Sequence, residues 1–218
     1  MARGSKQTPP SRARDRARHE DEILAAAERL FARKGFASAT VVEVAAEADF
    51  AIATLYNRFG SKEAILDALL DRHLAALERE IALAVASAGT PEEKLEASVI
   101  ARARYLAQNR DFFLVYIDEI PGAHVTAPAS QASVALSLRT QLSRIEAIFG
   151  ELGPSDVDAE TRALVFFGAT RSYIIERVLK AKKAPSTKEI AAVVRALLRG
   201  LANVRERAAP SRRVNGRG

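Results

Sequence analysis

The sequence predicts an all-α protein, with short helices at the N-terminal end and longer ones after them. Alanine supplies 43 of the 218 residues, and only 9 Phe, 4 Tyr and no Trp are present. An alanine-rich chain poor in aromatics favours helix over sheet. The prolines fall at 9, 10, 91, 121, 128, 154, 185 and 210, leaving long proline-free gaps. A proline inside a helix costs about 3 kcal/mol, so the gaps mark where helices are allowed. Each gap carries an apolar stripe of helical period, and no strand alternation competes with it.

The elements follow in order. Residues 20–34 place Ile23, Leu24, Ala27, Leu30 and Phe31 on one stripe, and Gly35 stops the helix. Thr40 with Glu43 has the spacing of a capping box, opening a short helix to about Ala48. After a break at Asp49–Phe50, a third short helix covers about Ile52–Phe59. Ser61 is a good N-cap for a long helix carrying Ile65, Leu66, Leu69, Leu70, Leu74, Leu77, Ile81 and Val85. Pro91 sits in the first turn of the next helix, where proline is tolerated. Residues 111–120 are short and apolar, and 121–129 read as a loop. A helix over about 130–149 ends at Gly150, Gly153 and Pro154. The helix over about 157–181 is apolar nearly all round, the mark of burial on two sides. The last helix spans about 187–205 and has a face of Ala191, Ala192 and Ala196.

Composition excludes several classes of function. With no cysteine there are no disulfides, thiolate nucleophiles or thiolate metal ligands. His19, His73 and His124 are isolated, His73 expected on a helix surface and His124 exposed in a loop. No metal site and no cofactor is expected. Neither a phosphate-binding GxxxxGK[ST] loop nor a GxSxG elbow occurs, so the chain is not expected to be an enzyme. No run of about 18 apolar residues suggests a membrane span. The N-terminus is basic with no apolar stretch behind it, and the expected location is the cytoplasm.

The formal charge of +6 points to an anionic partner. Residues 1–18 hold six Arg or Lys and one Asp, and residues 207–218 hold four Arg and no acid. Both tails are low in apolar content and are expected to be disordered. By contrast, residues 19–63 hold five basic and eight acidic residues. The basicity therefore belongs to the tails.

Three short helices with tight turns form a helix-turn-helix arrangement, whose second member can enter the major groove of DNA. The stretch from Ile23 to Leu70 resembles the N-terminal domain of the tetracycline-repressor-like (TetR) family. The matching marks are Ala26–Ala27, Leu30–Phe31, Gly35, Thr40, Val44–Ala45, Ala48, Thr54–Leu55–Tyr56, Phe59 and Ser61–Lys62–Glu63.

The resemblance implies a DNA-binding domain over 19–63 and a helical ligand-binding and dimerisation domain over 64–206. It implies a homodimeric transcriptional regulator of about nine helices, most simply a repressor, on palindromic double-stranded DNA and released by a small molecule. The apolar, aromatic-containing second domain suggests a hydrophobic or amphipathic effector. The alternative is a non-specific DNA-binding or helical interaction protein without a ligand switch. Carried over by position, the DNA-contacting residues are Thr40, Thr54, Tyr56, Asn57, Arg58 and Lys62. Thr40 would hold a phosphate at a helix N-terminus. Tyr56 and Lys62 match positions that usually reach the backbone.

Two positions depart from the family pattern. Asp49 replaces the turn glycine, where a left-handed residue is wanted. Ala51 replaces the usual Ser cap, a loss of about 1 kcal/mol. The recognition helix then opens with Ile52–Ala53, suited to thymine methyl groups more than to guanine.

In the second domain, Tyr105, Phe112, Phe113, Tyr116 and Phe167 either line a ligand cavity or form ordinary core. Asp118, Glu119, Arg104 and Arg171 either orient a ligand or lie on a solvated face. Phe166, Tyr173, Val194 and Leu198 are the candidates for the dimer interface, since an intermolecular four-helix bundle would bury second apolar faces.

Overall fold

The computed structural model describes residues 10–119 and 128–202. Expectations for 1–9, for the loop bearing His124, and for the tail 207–218 lie outside the described residues. Among the described residues nine α-helices run in order: α1 Pro10–Lys34, α2 Val41–Ala48, α3 Ile52–Phe59, α4 Lys62–Ala86, α5 Pro91–Gln108, α6 Arg110–Glu119, α7 Pro128–Glu151, α8 Ala159–Ile174 and α9 Thr187–Ala202. Among the described residues there is no strand. Residues Ile175–Lys180 continue α8 as a π-helical turn.

The chain forms two compact units: Met1–Ala75 with Asp111–Val134, and Ala76–Arg110 with Ala135–Gly218. The division expected at 63/64 thus moves into α4. The first turns of α4 bury Ile65, Leu66, Leu69 and Leu70 completely, so they belong to the core of the first unit.

One correction concerns the basic arm. Residues 10–18 are the opening turns of α1. They contain no glycine, and after Pro10 no proline, and Arg and Ala are strong helix formers. Pro10 occupies the first helical position, where its missing N–H costs nothing.

The first unit buries Ile23, Leu24, Ala26, Ala27, Leu30 and Phe31 of α1, Val44 and Ala45 of α2, and Leu55 of α3. Phe31 meets Phe36 edge to face at 5.2 Å. His73, expected at the surface, is 5% exposed. It stacks on Phe112 at 4.0 Å, and its Nε2 lies 3.0 Å from Oε1 of Glu28. Arg72 binds the other oxygen of Glu28. The hydrogen bond from His73 is the largest of the causes that hold the Glu28 carboxyl below its ordinary value.

The second unit is built on Leu95, Val99, Ile145, Phe149, Phe166, Ile174 and Val194, all 1% exposed or less. Two arginines close helix ends. Arg162 Nη2 donates to the carbonyls of Phe149 and Gly153, both at 3.2 Å. Arg110 donates to those of Val178 (3.1 Å) and Leu179 (2.7 Å) in the π turn. Carbonyls at a helix end lack intrahelical partners, and these guanidinium groups satisfy them.

The lowered carboxyl of Glu28 sets the sign of a pH effect. Its ion pair with Arg72 is intact above the ordinary value of 4.5 and is lost as pH falls through the depressed folded value. Glu28→Gln should therefore cost about 1–2 kcal/mol at neutral pH. It should also flatten the acid limb of a urea-unfolding series between pH 3 and pH 7 on the order of that amount.

Candidate nucleic-acid interface

Residues 40–62 assemble the site from short local devices. Thr40 is the N-cap of α2 in an extended conformation. Its Oγ1 accepts from Glu43 N (3.2 Å) and donates to Glu43 Oε2 (2.9 Å). Glu43 Oε2 also accepts from Thr40 N at 3.0 Å. The expected capping box is present, and it uses the hydroxyl in both directions. The other carboxylate oxygen of Glu43 binds Lys34. Lys34, then Thr40, holds this carboxyl below its ordinary value.

The turn between α2 and α3 rests on Asp49, at φ 57° and ψ 42°. This is the left-handed residue that the departure from glycine required. The N–H of Phe50 then reaches Ala45 O at 3.0 Å, ending α2. Ala51 precedes α3 in an extended conformation and provides no side-chain cap. On α3, Leu55 points into the core at 1% exposure. Ile52, Ala53, Tyr56 and Asn57 are exposed, and Thr54 is half-buried.

The six expected DNA-contacting residues therefore divide. Tyr56 and Asn57 lie open on the recognition helix. Thr40 is spent on the cap. Arg58 is turned toward α1: its Nη2 donates to Arg16 O at 2.7 Å, and its Nε lies 3.5 Å from Glu20. Lys62 donates to the carbonyls of Phe36 (2.8 Å), Ala37 (3.3 Å) and Ala39 (2.9 Å). It also sits 4.4 Å from the Phe36 ring centroid. An ammonium has three N–H donors, so in this geometry Lys62 is an internal lock.

One exposed residue was missed from the sequence. Val42 on α2 is 54% exposed, as are Ile52 at 41% and Tyr56 at 51% on α3. Three of the seven large exposed apolar side chains described thus lie on the α2–α3 pair. The signal was available: an eight-residue helix that buries Val44 and Ala45 has no inward place for both Val41 and Val42.

The other candidates are placed as follows. Phe112, Phe113 and Tyr116 belong to the first unit, Tyr105 and Phe167 to the second. Phe112 and Phe113 are buried around His73. Burial raises the Tyr116 phenol above its ordinary value. Phe166 and Val194 are 0% and 1% exposed inside their own unit, so neither presents a face to a partner. Helical phase turns Leu164 and Val165 outward instead, at 52% and 48%. Tyr173 and Leu198 are half-buried. A cleft of about 220 Å³ in the second unit is lined by Phe149, Leu152, Arg162, Leu198 and neighbours, and by none of the five expected aromatics. Among the described residues there is no cluster of three metal-ligating side chains, and no helix is long and apolar enough to cross a membrane.

Known proteins resemble this chain in sequence and in fold. Residues 23–69 match the profile of bacterial regulatory proteins of the tetR family. An uncharacterized HTH-type transcriptional regulator of Mycobacterium tuberculosis is 39% identical over 89 residues, 41% of this chain and 44% of that protein. The HTH-type transcriptional regulator HbdR of Aromatoleum sp. (strain CIB) is 32% identical over 90 residues, 41% of this chain and 39% of that protein. The match thus spans less than half the length of these curated relatives. Solved structures match over more of the chain. The TetR family transcriptional regulator PfmR of Thermus thermophilus is 26% identical, with a TM-score of 0.62 over 83% of this chain and 99% of that one. A TetR-like transcriptional regulator from Rhodococcus sp. RHA1, 22% identical, shares the fold with a TM-score of 0.64 over 84% and 95%.

Two substitutions separate scaffold from contact. Thr40→Val removes the cap and should cost about 1 kcal/mol. Lys62→Met strands three carbonyls and should cost about 2 kcal/mol. Both losses should appear as lower urea midpoints at unchanged slope in the absence of DNA.

Proposed function

Because the chain belongs to the tetR family of bacterial regulatory proteins, we propose that it represses transcription as a homodimer on a palindromic operator. A small hydrophobic or amphipathic effector bound by the C-terminal helices releases it. The observation that carries the reading is the exposed face of the α2–α3 pair. There Val42, Ile52, Tyr56 and Asn57 are exposed, while Thr40, Arg58 and Lys62 are bonded within the unit. The apolar members suit thymine methyl groups, and the Tyr56 hydroxyl suits a phosphate. Arg14, Arg16 and Arg18, exposed on the first turns of α1, add a basic approach to the same end of the unit.

In a symmetric dimer the two recognition helices fall about 34–36 Å apart, one turn of DNA. The outward residues Leu164, Val165, Gly168 and Ala169 of α8 and Ala192 and Ala196 of α9 are the proposed partner face. Small residues there let two helix pairs approach closely. An effector then acts by preferring the dimer geometry that misplaces the helices, and only that difference in affinity drives release. The protein would work in the cytoplasm and would carry out no catalysis.

A second reading, non-specific DNA binding, is favoured by Ile52 and Ala53, which offer no hydrogen bond to a base. Selection of bound sequences from random DNA decides between the two. The regulator recovers an inverted repeat preferred by about 10³-fold or more; no enrichment would overturn it. Tyr56→Ala should weaken binding to that repeat about tenfold or more, roughly 1.4 kcal/mol. Leu164→Glu should shift sedimentation from dimer to monomer without unfolding the chain.

A further inference from the structure

Arg102, midway along α5, is 4% exposed. Its Nε donates to Gln141 Oε1 at 3.0 Å. Gln141 Nε2 in turn donates to Ser137 Oγ at 3.1 Å, and Ser137 Oγ donates to Glu78 Oε1 at 3.4 Å. The guanidinium carbon lies 4.8 Å from the Phe167 ring centroid. Nη1 and Nη2 are both buried, and neither has a hydrogen-bond partner among the described residues. All of these groups belong to the second unit. The chain thus fixes one edge of the guanidinium and sets an aromatic ring against it. Its two terminal nitrogens are enclosed by the helices and left without an acceptor among the described residues.

A buried cation is tolerated when an anion meets it and its donors are satisfied. Glu78 is close enough to favour the charged form of Arg102. Its carboxylate, however, is already bound by Arg144 Nη1 at 3.0 Å and by Ser137. Arg144 and Arg171 add positive charge against Arg102. Burial is the largest influence and brings the group down to about 10, so it remains cationic at neutral pH. The charges that act on Arg102 are thus one carboxylate, already paired with Arg144, and two guanidinium groups, so its surroundings are short of negative charge.

We propose that Arg102 anchors the carboxylate of a small organic acid inside the second unit, the two oxygens accepting from Nη1 and Nη2. A planar carboxylate matches the fork in shape and carries one negative charge. A phosphate would bring further oxygens, whereas the nearby donors of Gln141 and Ser137 are already committed. The rest of the acid is apolar, to suit Phe167 and the surrounding helix faces. This inference rests on the effector reading above and names the chemical class of that effector. Gln141 is a positioning residue: it holds Nε so that the fork keeps its direction.

The test is calorimetric titration of the full chain with propionate, benzoate and octanoate, each against its neutral amide. At least one acid should bind saturably, about 10- to 100-fold tighter than its amide. Arg102→Met removes the charge at similar volume and should abolish that preference. Arg102→Lys, which keeps the charge without the fork, should retain part of it, and Gln141→Leu should weaken acid binding alone. Arg102→Lys and Gln141→Leu carry the comparison if Arg102→Met fails to fold cooperatively. Equal binding of acids and amides, no binding by any of the acids, or undiminished binding by the variants overturns the proposal. The selected DNA repeat separates the two readings. Arg102-dependent acid binding that leaves DNA affinity unchanged keeps this site and removes the effector switch. Release of DNA by amides but not by acids keeps the switch and removes this site.

Discussion

The helix-turn-helix depends on one ammonium group. Lys62 stands at the first position of α4, where the helix dipole disfavours a cation. It is held there because three carbonyls, of Phe36, Ala37 and Ala39, converge on it beside the Phe36 ring. Those carbonyls belong to the link between α1 and α2. A single charge therefore ties the start of α4 to the point at which α2 begins, and through Thr40 to the angle at which α2 and α3 leave the core. The capping box, the left-handed Asp49 and the buried Leu55 refine an orientation that this lock establishes.

The ion pairs resolve an apparent contradiction in the charge. Residues 19–63 carry more acid than base, an unexpected balance for a surface meeting DNA. Yet Glu20, Glu28, Glu43 and Glu47 are all engaged by Arg or Lys within the unit. Arg33, the strongest partner of Glu47, holds that carboxyl below its ordinary value, as Lys34 does for Glu43. These acids serve to pin α1 to its neighbours. Formal charge summed along a segment is therefore a poor guide to the field at its face.

Much of the fold was legible because proline and glycine punctuate the chain at helix ends. The bounds of α2 and α3 follow from Thr40, Asp49, Ala51 and Gly60 almost residue for residue. What the sequence concealed was direction. In α8, Phe166 and Phe167 are adjacent and both apolar stripes are plausible, so periodicity alone cannot tell which one faces inward. Burial of Phe166, Thr170 and Ile174 settles the phase and turns Leu164 and Val165 out. Arg58 and Lys62 were concealed for a different reason. Long cations reach partners 20 or more residues away in sequence, and no local spacing announces such partners. The exposure of Tyr56 and Asn57 was legible because α3 is short and Leu55 fixes which side is in.

The π turn after α8 has a consequence for chain length. A turn closed from residue i to i+5 holds one residue more than an α-turn. The Ala181 N–H makes this wider closure, donating to Glu176 O at 2.9 Å, while Arg110 occupies the carbonyls that it leaves over. The fold thus stores a spare residue at Ile175–Lys180, downstream of the buried phase of α8 and upstream of the loop to α9. A homologue one residue shorter here could close the segment as ordinary α-helix and leave residues 159–174 in register. Length variation among relatives is therefore expected to fall at this turn, with the identity of residue 110 changing in step.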